Sequence, residues 1–137
     1  VHIWDRDPAL ARDLAARTGA TAIDIADAAG AVAGASGLAN CTPLGMAPDT
    51  RSAFDPDAFG PQDWAFDAVY TPTDTPFLIS AAKTGLAVMT GFDLFRFMAM
   101  ESFAAYTGLT ADTATTLPKL DALRPIGRAE PQTTSET

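Results

Sequence analysis

The stretch WAFDAVYTPTDTPFLISAAKTGLAVMTG, Trp64 to Gly91, decides the fold class of this chain. Its first run, Trp64–Tyr70, is apolar over the length of a buried strand, and Thr75-Pro76 places a capping hydroxyl before a proline, a typical helix start. Gly85 marks the end of that helix, and a second apolar run of strand length follows at Leu86–Thr90. A strand, a helix and a strand in this order predict two parallel strands joined by a right-handed crossover.

The same alternation of strands and helices extends in both directions from this unit. It predicts an α/β fold with a mainly parallel sheet that is covered by helices on both faces. The other predicted strands are Val1–Trp4, Thr21–Ile23 and Leu38–Asn40. The other predicted helices run from Pro8 to Gly19, from Asp24 or Asp27 to about Gly34, from Asp93 to about Thr107, and around Pro118–Leu123, with one helical turn at Pro56–Phe59 inside a long loop. Apolar positions of the longest helix are expected to pack on the sheet, namely Leu94, Phe97, Met98, Phe103 and Ala104.

The composition is that of one globular domain of 137 residues, with 47% hydrophobic and 19% charged residues. A net charge of −8 with scattered lysines and arginines argues against nucleic acid or an anionic membrane as a partner. A single cysteine, Cys41, and a single histidine, His2, allow neither an internal disulfide nor a Cys/His metal site. With no signal-peptide pattern, the sequence predicts a cytoplasmic protein. Because VHIW already has the pattern of a strand at Val1, we expect a fragment of something longer.

Ligands of open parallel sheets bind where the strands end, so the residues that follow each strand are the candidate site. Asp5 follows the first predicted strand, where a carboxylate can accept hydrogen bonds from both ribose hydroxyls of an adenosine and repel a 2′-phosphate. Arg6 can stack on adenine or pair with that phosphate, and on balance we predict NAD over NADP. The alternative is that Asp5, Arg6 and Asp7 only begin a helix. No G-x-G-x-x-G turn occurs, and such a turn would precede Val1.

Three segments in order resemble the nucleotide-binding C-terminal half of the shikimate/quinate dehydrogenase family. They are GLANCTPLGM, FDAVYTPTDTPFL and GFDLFRFMAMESFAAYTG, and the likeness spans Val1 to Leu109. The resemblance implies a partial Rossmann-like three-layer sandwich. Residues 1–110 would form an NAD(P)-binding domain that is incomplete at its N-terminus. The tail over 111–137 is expected to be partly disordered, above all at Ala129–Thr137.

The same resemblance implies which residues contact the cofactor and the substrate. The polar loop after the third strand would run beside the cofactor, and the segment after the fourth strand would lie near the nicotinamide. Asn40 and Thr42 could instead satisfy backbone groups at a strand end, and Tyr70 and Met98 could be packing residues. The implied cofactor contacts are Asp5, Arg6, Asn40, Thr42, Met46, Ala68, Val69, Gly91 and Leu94, and the implied substrate contacts are Tyr70 and Met98.

The family's chemistry is hydride transfer between a nicotinamide and a cyclic hydroxy or keto acid, as in aromatic amino acid biosynthesis. This sequence departs from the family pattern at Met98, where a glutamine is usual, and at Asp93, where a small residue is usual. Neither Lys83 nor Lys119 matches the family's catalytic lysine, so no catalytic residue and no metal ligand is assigned. The alternatives are a catalytically lost member that acts as a binding or regulatory domain, and another two-domain reductase such as the methylene-tetrahydrofolate type. The sequence does not determine the oligomeric state, and a homodimer is one option.

Overall fold

The computed structural model describes residues 1–125. Within this range the chain alternates five strands with five α-helices and has one short 3-10 turn at Pro56–Ala58, which confirms the predicted α/β fold. The strands are β1 (His2–Ile3), β2 (Thr21–Ala22), β3 (Gly37–Asn40), β4 (Trp64–Asp67) and β5 (Ala87–Met89). The helices are α1 (Pro8–Thr18), α2 (Ile25–Ala33), α3 (Pro76–Lys83), α4 (Gly91–Thr107) and α5 (Thr113–Asp121).

Local capping signals explain where the first and third helices begin. Asp7 accepts a hydrogen bond from the backbone N–H of Ala9 at 2.9 Å, and Pro8 fills the first helical position. Thr75 caps α3 in the same manner by accepting from the N–H of Leu78 at 3.3 Å. Gly19 ends α1 at a φ of 71°, a left-handed conformation that glycine adopts without strain. These boundaries follow the sequence prediction.

Among the boundaries that differ from the prediction are two helix starts and one strand end. Helix α4 begins two residues before Asp93, because Thr90 and Asp93 form a reciprocal capping box that sets the start at Gly91. Helix α5 begins at Thr113, ahead of the predicted Pro118–Leu123, because Asp112 caps it by accepting from the N–H of Thr115 at 3.0 Å. Strand β4 ends at Asp67 and not at Tyr70.

The strands form two parallel sheets and not one, with the orders β1-β2 and β3-β4-β5. Strand β1 accepts hydrogen bonds from β2 through the carbonyls of Val1 and Ile3, and β3 bonds to the β4 side through the carbonyls of Ser36 and Asn40. Along a parallel strand, the backbone N–H and C=O groups of successive residues point to opposite sides of the strand. The backbone groups of His2 in β1 and of Ala39 in β3 therefore point away from the paired side, towards an edge at which no strand within residues 1–125 pairs. Both edges are therefore open to a further strand.

The main core lies between α3 and the three-stranded sheet. Phe77, which is 1% exposed, lies at the centre of this core. Phe54 and Phe59 of the long loop pack on its ring, with ring centroids 4.9 and 5.8 Å away. The loop over 47–62 is thus ordered by its aromatic residues. The buried core residues are Leu38, Ala65, Phe77, Leu78, Ala81 and Leu86.

The long helix α4 does not pack on the sheet along its length, which corrects the prediction. Only Gly91 and Phe92 are buried in it. The helical spacing of its apolar residues correctly predicts a helix, but this spacing does not show which part of the fold covers the apolar face. Within residues 1–125 that face is largely uncovered. The exposed apolar positions include Leu94, Phe97, Met98 and Phe103, while Ala104 is half-buried.

No helix in the described part of the chain is long and apolar enough to cross a membrane. The predicted disorder at Ala129–Thr137 lies outside the described residues.

Candidate functional site

A cavity opens where β1 and β2 end. It has a volume of about 340 Å³. The Asp5 carboxylate forms one wall: its Oδ1 accepts from the N–H of Asp7 at 2.8 Å, and its Oδ2 has no hydrogen bond within residues 1–125. Asp7 is the residue that caps α1, so Asp5 is not needed for that purpose. The cavity is lined by Trp4, Asp5, Arg6, Pro8, Ile23, Asp24, Ile25 and Ala26. Asp5 and Arg6 thus line one cavity together with apolar residues from the ends of β1 and β2.

The next strand end is held by the side-chain amide of Asn40. Its Nδ2 donates to the carbonyl of Leu44 and to Asp67 Oδ1, both at 3.0 Å. Its Oδ1 accepts from the N–H of Thr42 at 3.0 Å and from the Thr42 hydroxyl at 2.7 Å. All four hydrogen-bonding positions of the amide are therefore used inside the protein. The geometry favours the structural interpretation of Asn40, which shapes the loop instead of offering a hydrogen bond to a ligand.

The rest of that loop leaves its outer side available. The Thr42 hydroxyl accepts from the N–H of Leu44 at 3.2 Å, so it too is engaged within the loop. Met46 is 47% exposed at the end of the loop. Gly45 has a φ of 91° and lies against Thr75, since a Cβ on Gly45 would come within 3.2 Å of Thr75 Cβ. The loop after β3 therefore packs, through Gly45, against Thr75, the residue that caps α3.

Asp67 is the centre of this arrangement, although the sequence analysis assigned it no contact with cofactor or substrate. Its side chain is fully buried and lies opposite Asn40 in the pairing of β3 with β4. Oδ1 accepts from the N–H of Val69 at 2.9 Å, and Oδ2 accepts from the hydroxyl of Thr75 at 2.7 Å. Burial raises the pKa of Asp67, and hydrogen bonds from Thr75, Val69 and Asn40 oppose that rise. Two signals in the sequence marked it: Asp67 is a polar residue at the end of an apolar run, and it lies in the second of the three family-like segments.

The start of α4 lies directly on the segment after β4. A Cβ on Gly91 would come within 2.4 Å of the carbonyl oxygen of Ala68 and 2.5 Å of that of Val69. Such an approach is open only to glycine, so this position requires it. The structure therefore brings together Ala68, Val69 and Gly91, as expected from the sequence, with Leu94 one turn along the helix.

Tyr70 and Met98 lie on the exposed rim of the same region. The ring of Tyr70 stacks on Phe95 at a centroid distance of 5.5 Å and an angle of 14°, and Tyr70 is 52% exposed. Met98 is 56% exposed one turn beyond Leu94, so neither residue is a buried packing residue within residues 1–125. Both side chains are placed where they could meet a ligand.

Asp93, the second departure from the family pattern, has a structural explanation. Its Oδ2 accepts from the N–H of Thr90 at 2.9 Å, and its Oδ1 pairs with Arg96 at 2.6 Å. Burial acts to raise the pKa of Asp93, but the hydrogen bonds from Thr90 and the charge of Arg96 outweigh it and lower the pKa. Arg96 also binds Asp121 and so fastens α5 to α4. Both oxygens of Asp93 are therefore engaged in the helix start.

No group of three His, Cys, Asp or Glu side chains that could hold a metal ion occurs in residues 1–125. The candidate site consists instead of strand ends, one cavity and one helix start. Parallel strands joined by helices, with these polar loops gathered at the carboxyl edge, define a Rossmann-like α/β domain.

Comparison with known proteins identifies the family. No protein-family model matches the sequence. The chain is 34% identical over 119 residues to the quinate/shikimate dehydrogenase (NAD(+)) of Corynebacterium efficiens, and the match covers 82% of this chain and 42% of that protein. Over most of its length the chain is thus homologous to the shikimate/quinate dehydrogenases, which confirms the resemblance of the three segments.

Solved structures support the same relationship. Quinate dehydrogenase from Corynebacterium glutamicum in complex with NAD superposes with a TM-score of 0.78 at 26% identity, over 89% of this chain and 45% of that one. Shikimate 5-dehydrogenase from Thermus thermophilus in complex with NADP(H) and shikimate gives a TM-score of 0.74 at 30% identity, again over 89% and 45%. The chain therefore spans less than half the length of these relatives.

Proposed function

We propose that this chain forms the cofactor-binding half of an NAD(P)-dependent dehydrogenase that acts on a cyclic hydroxy or keto acid of the shikimate or quinate type. The observation that carries the proposal is the cavity at the ends of β1 and β2, where Asp5 presents a carboxylate oxygen with no hydrogen bond within residues 1–125. Homology to dehydrogenases solved with NAD and with NADP(H) supports it.

The adenosine end of the cofactor would lie in this cavity. The Oδ2 of Asp5 can accept from a ribose hydroxyl, whereas a 2′-phosphate there would be repelled. Arg6 offers a flat cation that can lie on an adenine ring. We therefore assign NAD as the preferred cofactor and NADP as the weaker one.

The nicotinamide end would lie over Ala68, Val69 and Gly91, whose backbones meet at van der Waals distance. When bound, the nicotinamide would accept a hydride from the carbon bearing the substrate hydroxyl, while the hydroxyl proton leaves to a base. Leu94 would cover one side of the ring, and Met46 would lie along the cofactor. Tyr70, oriented by its stacking on Phe95, would direct its hydroxyl towards the substrate.

The phosphate-binding turn and the proton-transferring pair would be supplied from outside residues 1–137. The chain spans 42% of its relative from C. efficiens, and the unpaired edges of β1 and β3 would accept a further parallel strand between the two sheets. We take 1–110 as the cofactor domain and 111–137 as its tail. The rival function, a binding domain without catalysis, now rests on Met98 alone, because Asp93 is explained by helix capping.

Titration of the complete polypeptide that carries this chain with NADH and NADPH, followed by the fluorescence of the reduced nicotinamide, tests the proposal. We expect tighter binding of NADH and, in Asp5→Asn, a loss of most of that preference, on the order of tenfold. Asp57→Asn is the matched control, because Asp57 is an exposed carboxylate in the 3-10 turn. Binding of neither cofactor by the wild type would overturn the assignment, and an unchanged preference in Asp5→Asn would remove Asp5 from it.

Turnover of shikimate and quinate tests the substrate class. Oxidation of either by NAD, in the complete polypeptide that carries this chain, is the expected result. Cofactor binding without oxidation of either acid would favour the rival binding function.

A further inference from the structure

Asp67 is a buried carboxylate that has no cationic partner within residues 1–125. It is 0% exposed, and its three hydrogen-bond donors are an amide, a hydroxyl and a backbone N–H, all of them neutral. The ion pairs within residues 1–125 involve the other carboxylates Asp13, Asp49, Asp93 and Asp121. Such an arrangement is costly, since a buried charge is normally paired. Its charge therefore needs an explanation beyond packing.

The hydrogen bonds around Asp67 stabilise its carboxylate form and oppose the effect of burial. Oδ1 accepts from Asn40 Nδ2 and from the N–H of Val69, and Oδ2 accepts from the Thr75 hydroxyl. The orientation of the Asn40 amide is unambiguous, because its nitrogen faces the carbonyl of Leu44 and its oxygen faces the N–H of Thr42. Three donors thus point at the two oxygens, as a charged group requires.

Asp67 is also hydrogen-bonded to the backbone over which we place the nicotinamide. It is hydrogen-bonded to Val69, and the carbonyl of Val69 contacts Gly91 at the start of α4. The intervening material is buried protein, in which a charge acts over a longer range than in water. The N-terminus of α3, capped by Thr75, offsets this charge by only a fraction of a unit.

We propose that Asp67 biases the site towards the oxidised nicotinamide, which carries a positive charge, over the reduced nicotinamide, which is neutral. The inference rests on the proposed function and deepens it. Asp67 touches neither cofactor nor substrate in this arrangement and acts through its field, so it is a positioning residue. Its removal should weaken binding of NAD⁺ more than binding of NADH.

The test is the ratio of the dissociation constants of NAD⁺ and NADH, measured by calorimetry on the complete polypeptide that carries this chain, as wild type and as Asp67→Asn. The introduced amide keeps the shape and one acceptor oxygen but removes the charge. We expect the ratio to shift towards NADH by on the order of tenfold. Because the charge is buried, high salt should leave most of that shift in place.

Two controls separate charge from structure. Thr75→Val removes one hydrogen bond to Asp67 but leaves its charge, so both cofactors should bind more weakly with the ratio unchanged. Asp57→Asn removes an exposed carboxylate and should change neither constant. If Asp67→Asn does not fold by circular dichroism, Asp67→Ser, a smaller neutral side chain, provides the same comparison.

The outcomes are distinct. A shifted ratio in the neutral variant, but not in Thr75→Val, supports the inference. An unchanged ratio with both cofactors still bound overturns the role of Asp67 and leaves the proposed function intact. Failure of the wild type to bind either cofactor overturns both.

Discussion

Replacing Gly91 by alanine tests the close packing on which the candidate site depends. The added Cβ would lie 2.4 Å from the carbonyl oxygen of Ala68 and 2.5 and 2.6 Å from the carbonyl oxygen and carbon of Val69. All three are backbone atoms, so no side-chain rotation can relieve the contact. The first turn of α4 or the segment after β4 must retreat by about 1 Å to restore an ordinary contact distance.

The cost follows from two opposing terms. Overpacking of this kind costs about 1–3 kcal/mol, while alanine gains up to about 1 kcal/mol over glycine in a helix. We expect a net loss of about 1–2 kcal/mol in the free energy of unfolding, which corresponds to a fall in Tm of about 4–7 °C for a chain of this size. Because the displaced backbone is that of Ala68 and Val69, NADH binding should weaken as well.

Urea unfolding and NADH titration measure the two effects. Gly30→Ala is the matched control, because Gly30 lies inside α2 and a Cβ there would meet nothing within 4 Å. That control should be more stable than the wild type by about 0.5–1 kcal/mol. A Gly91→Ala variant that is as stable as the wild type and binds NADH normally would refute the reasoning.

Two further predictions concern buried polar groups. Thr75→Val should cost about 1–3 kcal/mol in urea unfolding, because it leaves an oxygen of Asp67 unpaired and removes the cap of α3, whereas Thr73→Val should cost less, because its hydroxyl makes only a 3.3 Å bond; equal losses would contradict the role given to the Thr75 hydroxyl. The lowered pKa of Asp93 means that its ionised form, paired with Arg96, stabilises the fold at neutral pH, and that this contribution is lost as the pH falls through the carboxyl's pKa. Asp93→Asn should therefore be less stable than the wild type at pH near 7 and nearly equal to it at strongly acid pH, and a constant difference at all pH values would contradict this.

The long helix shows the limit of inference from a repeating pattern. Its apolar positions predicted a helix correctly, but the expectation that they pack on the sheet was wrong. A period of 3.6 residues identifies a face that must be covered, whereas the identity of the cover depends on parts of the fold distant in sequence. In residues 1–125 that face is largely open.

The amino-acid sequence was enough to predict the α/β class, the starts of α1 and α3, the glycine that ends α1 and, through three ordered segments, the family. These features depend on contacts between residues at most four positions apart, or on runs of sequence, so they can be seen without coordinates. It also marked Asp5, Ala68, Val69 and Gly91 as candidates, because each follows a strand and ligands of open parallel sheets bind at the carboxyl ends of the strands.

Tertiary structure alone decided three features. One is the division into two sheets, which depends on which strand edges meet. Another is the demand for glycine at Gly91, created by backbone from a different element. The last is the role of Asp67, whose hydrogen bonds reach 27 residues back to Asn40 and eight residues forward to Thr75. A side chain's charge and burial depend on what folding places around it, and that cannot be read from its neighbours in sequence.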